Sequence, residues 1–239
     1  MKLVDYLQQQ YGLNEKEAQG LIYAGKVYVN DEKADKPGTL VRAKDAVRYT
    51  QSNAYPSRAF QKLKSFIESK SIDVSEKYVL DAGAAHGGFT KVLLEFNASG
   101  IVCVDVSYGQ LALNLRSHPN VYVKERTSVC ALTKDQLPFQ PDFFVADLSF
   151  ISAKKSLECI RSLLRSPATG IYLFKPQFEA KAEQLEKGIV KSEEQRRSLL
   201  AGFMDWLEKN NWQVLASEDS ELKGKKGNQE TLFLLESKL

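Results

Sequence analysis

Within residues 78–106 four segments follow in order: YVLD, AGAAHGGFT, KVLLEF and, after a short turn, GIVCVDV. The first and last are short apolar runs of the length and composition of buried strands. Between them Gly83, Gly87 and Gly88 bend the chain, and a helix-forming stretch carries it back. Strand, glycine-rich loop, helix and strand make the opening βαβ unit of a doubly wound α/β sheet. Later segments continue the alternation: PDFFVAD (141–147), a helix from about Lys154 to Leu164, GIYLFKP (170–176), and a long charged helix from about Ser192 to Lys209. WQVLAS and ETLFLLES then close the chain with no helix between them. That ending predicts an antiparallel hairpin at the sheet edge.

The loop constrains the ligand. Its glycines let the backbone turn tightly and approach a bound group, and the helix beginning near Gly88 points its positive end at a carboxylate. Asp105 ends the second strand, about twenty residues on, where an acid can bind both hydroxyls of an adenosine ribose. A dinucleotide and S-adenosylmethionine both satisfy this pattern. Asp81, at the end of the first strand, would repel a pyrophosphate and pair with the ammonium of a methionine moiety, which favours S-adenosylmethionine. Candidate cofactor positions along this stretch are Asp81, Gly83, Ala84, Gly87, Gly88, Phe89, Asp105 and Val106. His86 either touches the methionine part or caps the helix.

Four further charged residues stand where a packed sheet gives them no structural reason: Lys62 in SRAFQKL, Asp147 in DLSF, Lys175 in KPQFE and Glu230 in GNQE. Each alone reads as a solvated strand end; together they read as a catalytic set. The carboxyl ends of parallel strands form the ligand crevice, so Asp147 and Lys175 should project beside the cofactor. Methyl transfer from a sulfonium to a hydroxyl is an in-line displacement that requires no metal, only a held oxygen and a managed proton. Lys175 is the candidate base or orienting donor, and Lys62 the candidate stabiliser of developing negative charge. A lysine base must fall well below its reference pKa of ~10.4, which a second lysine favours and the two carboxylates oppose. The carboxylates alternatively fix the ammonium groups in place.

The first fifty residues read differently. Leu3, Leu7 and Tyr11 share a helical face that Gly12 ends, and Asn14 with Glu17 caps a second helix carrying Ala18, Leu21 and Ile22. Gly25 closes it. Val27 and Val29 lead to an Asn30-Asp31 turn, and Val47 and Tyr49 alternate again after Lys36-Pro37-Gly38. Gln51 to Pro56 reads as a linker, dividing the chain into residues 1–52 and 53–239. Residues 1–70 hold 12 Lys/Arg against 8 Asp/Glu, the remainder 21 against 22, so the whole +3 excess lies near the start and suits either a polyanion-facing module or a solvated face. No apolar run approaches the ~18 residues of a membrane helix and the start lacks the order of a secretory signal, so a soluble, cytoplasmic protein is expected. Cys103, Cys130 and Cys159 have no metal-ligand or pairing pattern and are expected to be small apolar residues of a reducing compartment. Two histidines leave little from which to build a zinc site or a serine triad.

LIYAGKVYVND (21–31) and DKPGTLV (35–41) resemble the S-four RNA-binding domain. The resemblance implies RNA contact by Lys16, Lys26, Lys33, Lys36 and Arg42. DAGAAHGGFT, DVSYGQL, DLSFIS, KPQFE and GNQE, behind such a module, resemble ribosomal RNA methyltransferases of the TlyA or hemolysin A type, related to FtsJ ribose 2′-O-methyltransferases. This implies a Rossmann-like, seven-stranded methyltransferase sheet behind a small α+β RNA-binding domain. It also implies a Lys62, Asp147, Lys175, Glu230 tetrad, and S-adenosylmethionine held by Asp81, Gly83, Gly88 and Asp105. The implied reaction is 2′-O-methylation of cytidine in ribosomal RNA within subunits; a monomer with neither metal nor membrane as partner is expected. Ala85-His86, Ser107, Ala59-Phe60, Lys2-Leu3-Val4 and Asn14-Glu15 depart from the usual family residues. Lys124, Arg126, Lys154, Lys155, Arg161 and Arg165 either extend an RNA surface or are exposed helix faces. The rival readings are a non-catalytic RNA-binding assembly factor, a membrane-acting hemolysin and a nicotinamide-dependent oxidoreductase.

Overall fold

The computed structural model describes residues 1–23, 25–49 and 57–238, and the chain divides into two compact units, Met1–Tyr55 and Pro56–Leu239. In the first, α1 (Leu3–Tyr11) buries Leu3, Val4 and Leu7 and ends at Gly12, whose left-handed backbone (φ 68) turns its N–H back to the Gln8 carbonyl. Helix α2 (Glu15–Tyr23) begins with a reciprocal cap: Glu17 N–H donates to Asn14 Oδ1 at 2.9 Å and Asn14 N–H to Glu17 Oε2 at 2.8 Å. Strands β1 (Val27–Val29), β2 (Glu32–Ala34) and β3 (Val47–Tyr49) form an antiparallel sheet in the order β2-β1-β3. The sequence shows β1 and β3; it hides β2, whose EKA exposes two of its three residues and so has no apolar alternation. Asn30 and Asp31, both left-handed (φ 52 and 65), make the two-residue turn that brings β2 back onto β1.

The second unit begins with α3 (Arg58–Ser69), capped by Ser57 Oγ accepting from Phe60 N–H. In chain order there follow β4 (Tyr78–Ala82), α4 (Gly88–Glu95), β5 (Gly100–Val104), the short α5 (Leu113–Arg116) and β6 (Val121–Lys124). Then come β7 (Phe143–Ala146), α6 (Ala153–Leu163), β8 (Thr169–Phe174), a small hairpin of β9 (Leu185–Glu186) and β10 (Ile189–Val190), α7 (Glu193–Lys209), β11 (Trp212–Asp219) and β12 (Thr231–Ser237). The main sheet has seven strands in the order β11-β12-β8-β7-β4-β5-β6. All its neighbours are parallel except β12, which runs antiparallel to both β8 and β11. The closing hairpin lies where the sequence puts it, with β11 running two residues beyond WQVLAS, and α6 and α7 lie within a residue of their expected bounds. Helix α3 went unread, although Ser57 is a cap and Phe60, Leu63, Phe66 and Ile67 are buried at helical spacing.

The strand order reverses between β4 and β7, because the chain builds outward through β5 and β6 and then returns to the other side of β4. Loops leaving the two strands part there and open a crevice at their carboxyl ends. The core beneath is aliphatic in the centre (Leu80, Val102) and aromatic toward α7. There Phe203 stacks on Phe174 with centroids 4.6 Å apart and meets Phe233 edge-on at 5.4 Å. The cysteine expectation needs correction. Cys103 is a free, buried residue of β5, but Cys130 and Cys159 are joined by a disulfide. The turn after β6 folds against α6 and brings together two residues 29 positions apart, a proximity that spacing alone does not reveal. No described helix is long and apolar enough to cross a membrane. Phe203→Ala should cost about 3–5 kcal/mol. Urea unfolding followed by tryptophan fluorescence reads this directly, since both tryptophans, Trp206 and Trp212, belong to this unit.

Candidate active site

The crevice is walled by the loops after β4, β5, β7 and β8. Gly83 and Gly87 are both left-handed (φ 87 and 89). A Cβ on Gly83 would come within 2.6 Å of the Asp147 carbonyl oxygen, and one on Gly88 within 2.7 Å of Ser57 Oγ and 3.0 Å of Ala59 Cβ. These two glycines therefore let the β4 loop lie on the β7 loop and let α4 lie on the first turn of α3. From sequence they are expected to let a ligand approach; on the side where a Cβ would stand, each meets protein. Ala84 and Phe89 are buried, so each offers a ligand its backbone only. Val106 is exposed beside Asp105, an apolar surface next to an acceptor.

Asp105 holds the loop in shape. Its Oδ2 accepts from Ala85 N–H at 2.8 Å, and its Oδ1 accepts from Ser107 N–H at 2.8 Å and Ser107 Oγ at 2.5 Å. Burial opposes its ionisation, but the Ser107 and Ala85 bonds outweigh burial and hold its carboxyl below the usual range. The charge of exposed His86 acts in the same direction.

Asp81 is fully buried. Thr90 Oγ1 donates to its Oδ2 at 2.6 Å, while Oδ1 has no partner among the described residues. Burial pushes its pKa from 3.8 up to about 7; the Thr90 bond resists this, and the charges of Asp147 and Asp105 add to it. Three carboxylates at the ends of adjacent strands thus concentrate negative potential around one orphaned oxygen. A cation relieves that arrangement and a pyrophosphate aggravates it. The residues fit a ligand with a sulfonium and an ammonium.

The four other singled-out residues form two ion pairs. Lys62 Nζ donates to Glu230 Oε2 at 2.5 Å, with both side chains buried. Lys175 Nζ lies 2.6 Å from Asp147 Oδ1 and donates to Ser149 Oγ at 3.1 Å, nearer the surface. Lys175 also sits 5.9 Å from the ring of Phe178, which packs on Phe150 with centroids 5.2 Å apart. Phe150 is 94% exposed and left-handed (φ 63), an aromatic displayed beside Lys175 against both solvation and backbone preference. The sequence reading missed it, although a phenylalanine in DLSF falls outside any apolar period. Glu179 of KPQFE caps α6, accepting from Ala153 N–H at 2.6 Å and Ser152 Oγ at 2.8 Å.

Among the expected RNA contacts, Lys16, Lys33, Lys36 and Arg42 are exposed and Lys26 is half-buried, all within the first unit. Arg48 of the same unit, not singled out from sequence, lies 4.3 Å over the Tyr28 ring and pairs with Asp31 at 3.0 Å. Arg161 has its partners within the second unit. Its guanidinium lies 4.4 Å over Trp212 and donates to the Asn210 carbonyl, fastening α6 to the start of β11.

The native state holds the Asp81 proton between about pH 4 and 7, and the unfolded chain does not. Stability should therefore fall as pH rises through that window, by on the order of 4 kcal/mol relative to Asp81→Asn, and stay level above it. Unfolding free energies of the two proteins at pH 5 and pH 8 test this; parallel pH profiles would contradict it.

Residues 55–237 match the family model of FtsJ-like methyltransferases, and residues 1–47 that of the S4 domain. The chain is 38% identical over 226 residues to the 16S/23S rRNA (cytidine-2′-O)-methyltransferase TlyA of Mycobacterium tuberculosis, covering 93% of this chain and 84% of that protein. It is 33% identical to Hemolysin A of Brachyspira hyodysenteriae, over 97% of this chain and 98% of the relative. A solved structure described as a hemolysin of Streptococcus thermophilus superposes with TM-score 0.74 at 28% identity, covering 99% and 88% of the two chains. The chain, with an S4 domain ahead of its methyltransferase fold, belongs to the FtsJ-like methyltransferase family, among the TlyA and hemolysin A proteins.

Proposed function

We propose that this chain transfers a methyl group from S-adenosylmethionine to the ribose 2′-hydroxyl of a cytidine in ribosomal RNA, using Lys62, Asp147, Lys175 and Glu230. The observation that carries this is the pair of lysine–carboxylate contacts at the crevice, one buried and one opening to the surface beside an exposed aromatic. Asp81, Asp105, Val106 and the backbone of Gly83, Ala84, Gly87, Gly88 and Phe89 would hold the cofactor, with the orphaned Asp81 oxygen facing its positive charge. When bound, the cofactor supplies a methyl on a sulfonium, a carbon that is already electrophilic.

The protein's own task is position and proton control. Asp147 and Ser149 each engage Lys175 Nζ, which leaves its third position for a substrate hydroxyl. Lys175 thereby orients the oxygen in line. As the amine, with two N–H groups on Asp147 and Ser149, it would turn its lone pair to the hydroxyl and take the proton as the O–CH3 bond forms and the C–S bond breaks, while Asp147 stops the long side chain from swinging away. Lys62, fixed by Glu230, supplies positive charge where the oxygen becomes negative. The exposed face of Phe150 gives an unstacked base a surface to lie on beside Lys175. Lys16, Lys26, Lys33, Lys36 and Arg42 contribute phosphate contacts from the S4 domain, with the two domains taken as residues 1–52 and 53–239.

Transfer of labelled methyl from S-adenosylmethionine to unmodified bacterial ribosomal subunits tests this reading. Label should appear as ribose-methylated cytidine, and Lys175→Ala should reduce the rate by about 10²-fold or more while cofactor binding persists. Label that survives in Lys175→Ala would remove the catalytic assignment. Cofactor binding without label in any subunit would favour a non-catalytic assembly factor. Phe150→Ala should raise the KM for RNA about tenfold, the loss expected for one stacked base.

A further inference from the structure

One buried amide outside the four charged residues has no explanation in the fold core. Asn228, 4% exposed, uses its side chain as a strand uses its backbone: Oδ1 accepts from Val190 N–H at 3.0 Å and Nδ2 donates to the Gly188 carbonyl at 2.9 Å. Its own carbonyl accepts from Gly224 N–H at 2.8 Å and closes the turn 224–228. Two residues later comes Glu230. Gly224 lies so close to that carboxylate that a Cβ there would collide with Oε1. Asn228 thus makes the β9–β10 hairpin, the 222–228 segment and the Glu230 carboxylate one piece. Strand β10 also packs against the turn Pro176–Phe178 that follows Lys175, so the piece borders both lysine–carboxylate pairs.

The solvent side of this piece is basic. Residues 181–191 and 222–228 hold six lysines against two glutamates. Lys187, Lys225 and Lys226 are exposed, and the Lys226 chain lies over Gly188, with Nζ 3.2 Å from where a Cβ would stand. Two lysine-bearing segments held side by side repel one another, and a buried amide is costly unless fully bonded. Joining them is rational when a polyanion lies across both. Every ribose is flanked by two phosphates, so a 2′-hydroxyl brought to Lys175 carries phosphates to the rim of the crevice.

We propose that the β9–β10 hairpin and the 222–228 segment form one phosphate-contacting wall, locked by Asn228, that seats the RNA strand beside Glu230. This rests on RNA being the substrate. Asn228 is a positioning residue within it, and Lys187, Lys225 and Lys226 are its RNA contacts.

The test uses the full chain and unmodified ribosomal subunits, with binding and methyl transfer measured separately across a salt series. The double variant Lys225→Glu, Lys226→Glu should weaken subunit binding at least tenfold and lower the slope of log affinity against log salt by about 0.7–0.9 per lost phosphate contact. Its affinity for S-adenosylmethionine should stay within twofold. Asn228→Ala should lower kcat about tenfold and raise KM, again with cofactor affinity and thermal midpoint close to wild type. Wild-type binding and salt slope in the lysine variant would overturn the wall whether or not methyl is transferred. Asn228→Ala with wild-type kcat would overturn the lock. Absence of transfer by the wild-type protein would instead remove the functional reading, and the binding slopes would still decide the wall.

Discussion

The buried contact between Lys62 and Glu230 ties the beginning of the second unit to its end, across 168 residues of sequence. Lys62 comes from α3, which precedes every strand of the main sheet, and Glu230 from the residue just before the last strand. Desolvating two charges offsets most of what their attraction returns, so such a pair is a weak source of stability compared with apolar residues of the same size. What it supplies is registry: α3 must meet the start of β12 at one height for both charges to be neutralised. Gly88 and Ser57 enforce the same placement from the other side, because α4 and the start of α3 touch without room for a Cβ. The glycine loop, α3 and the last strand are adjusted to one another.

A second constraint runs through the centre of the sheet. Asp81, Asp105 and Asp147 end adjacent strands, and the charges of Asp105 and Asp147 add to the cost of ionising Asp81. The protein distributes that cost unevenly. Asp105 receives three hydrogen bonds and stays ionised, Asp147 is paired with Lys175, and Asp81 is left with one oxygen unsatisfied and its pKa displaced. An apolar core would be more stable without Asp81. A buried carboxylate at the end of β4 makes sense when the missing partner arrives with a ligand, and the same field that would reject a pyrophosphate would suit a sulfonium.

The basic character of the molecule is divided between a small unit and a large one. The S4 unit has a core of few side chains, Leu3, Leu7, Ala18, Ile22 and Val27 among them, and most of its lysines stand exposed around that core. In the large unit one of the basic residues named from sequence, Arg161, is packed over Trp212 and bonded to the Asn210 carbonyl. Exposed lysines gather instead on segments beside the crevice that carry no regular alternation. Sequence-wide charge is therefore a poor guide to where a polyanion lies; burial and partnering decide it.

How much was legible in the residues follows from physical range. The βαβ unit, the closing hairpin, the capped helices of the first unit and the spacing from the glycine loop to Asp105 are local patterns of period and turn chemistry, and local physics fixes them without reference to the rest of the chain. The four charged residues stood out because charge at a strand end is conspicuous. Their pairing, Lys62 with Glu230 and Lys175 with Asp147, did not, nor did the Cys130–Cys159 bond, the exposure of Phe150 or the bridge made by Asn228. Each depends on which segments the strand order brings together. By itself the sequence determined a doubly wound sheet, its glycine-rich loop and the residue types at its crevice. Only the tertiary structure decided which charges neutralise one another and which aromatic faces solvent, because contacts between segments 26 to 168 residues apart are set by packing across the sheet and not by any period along the chain.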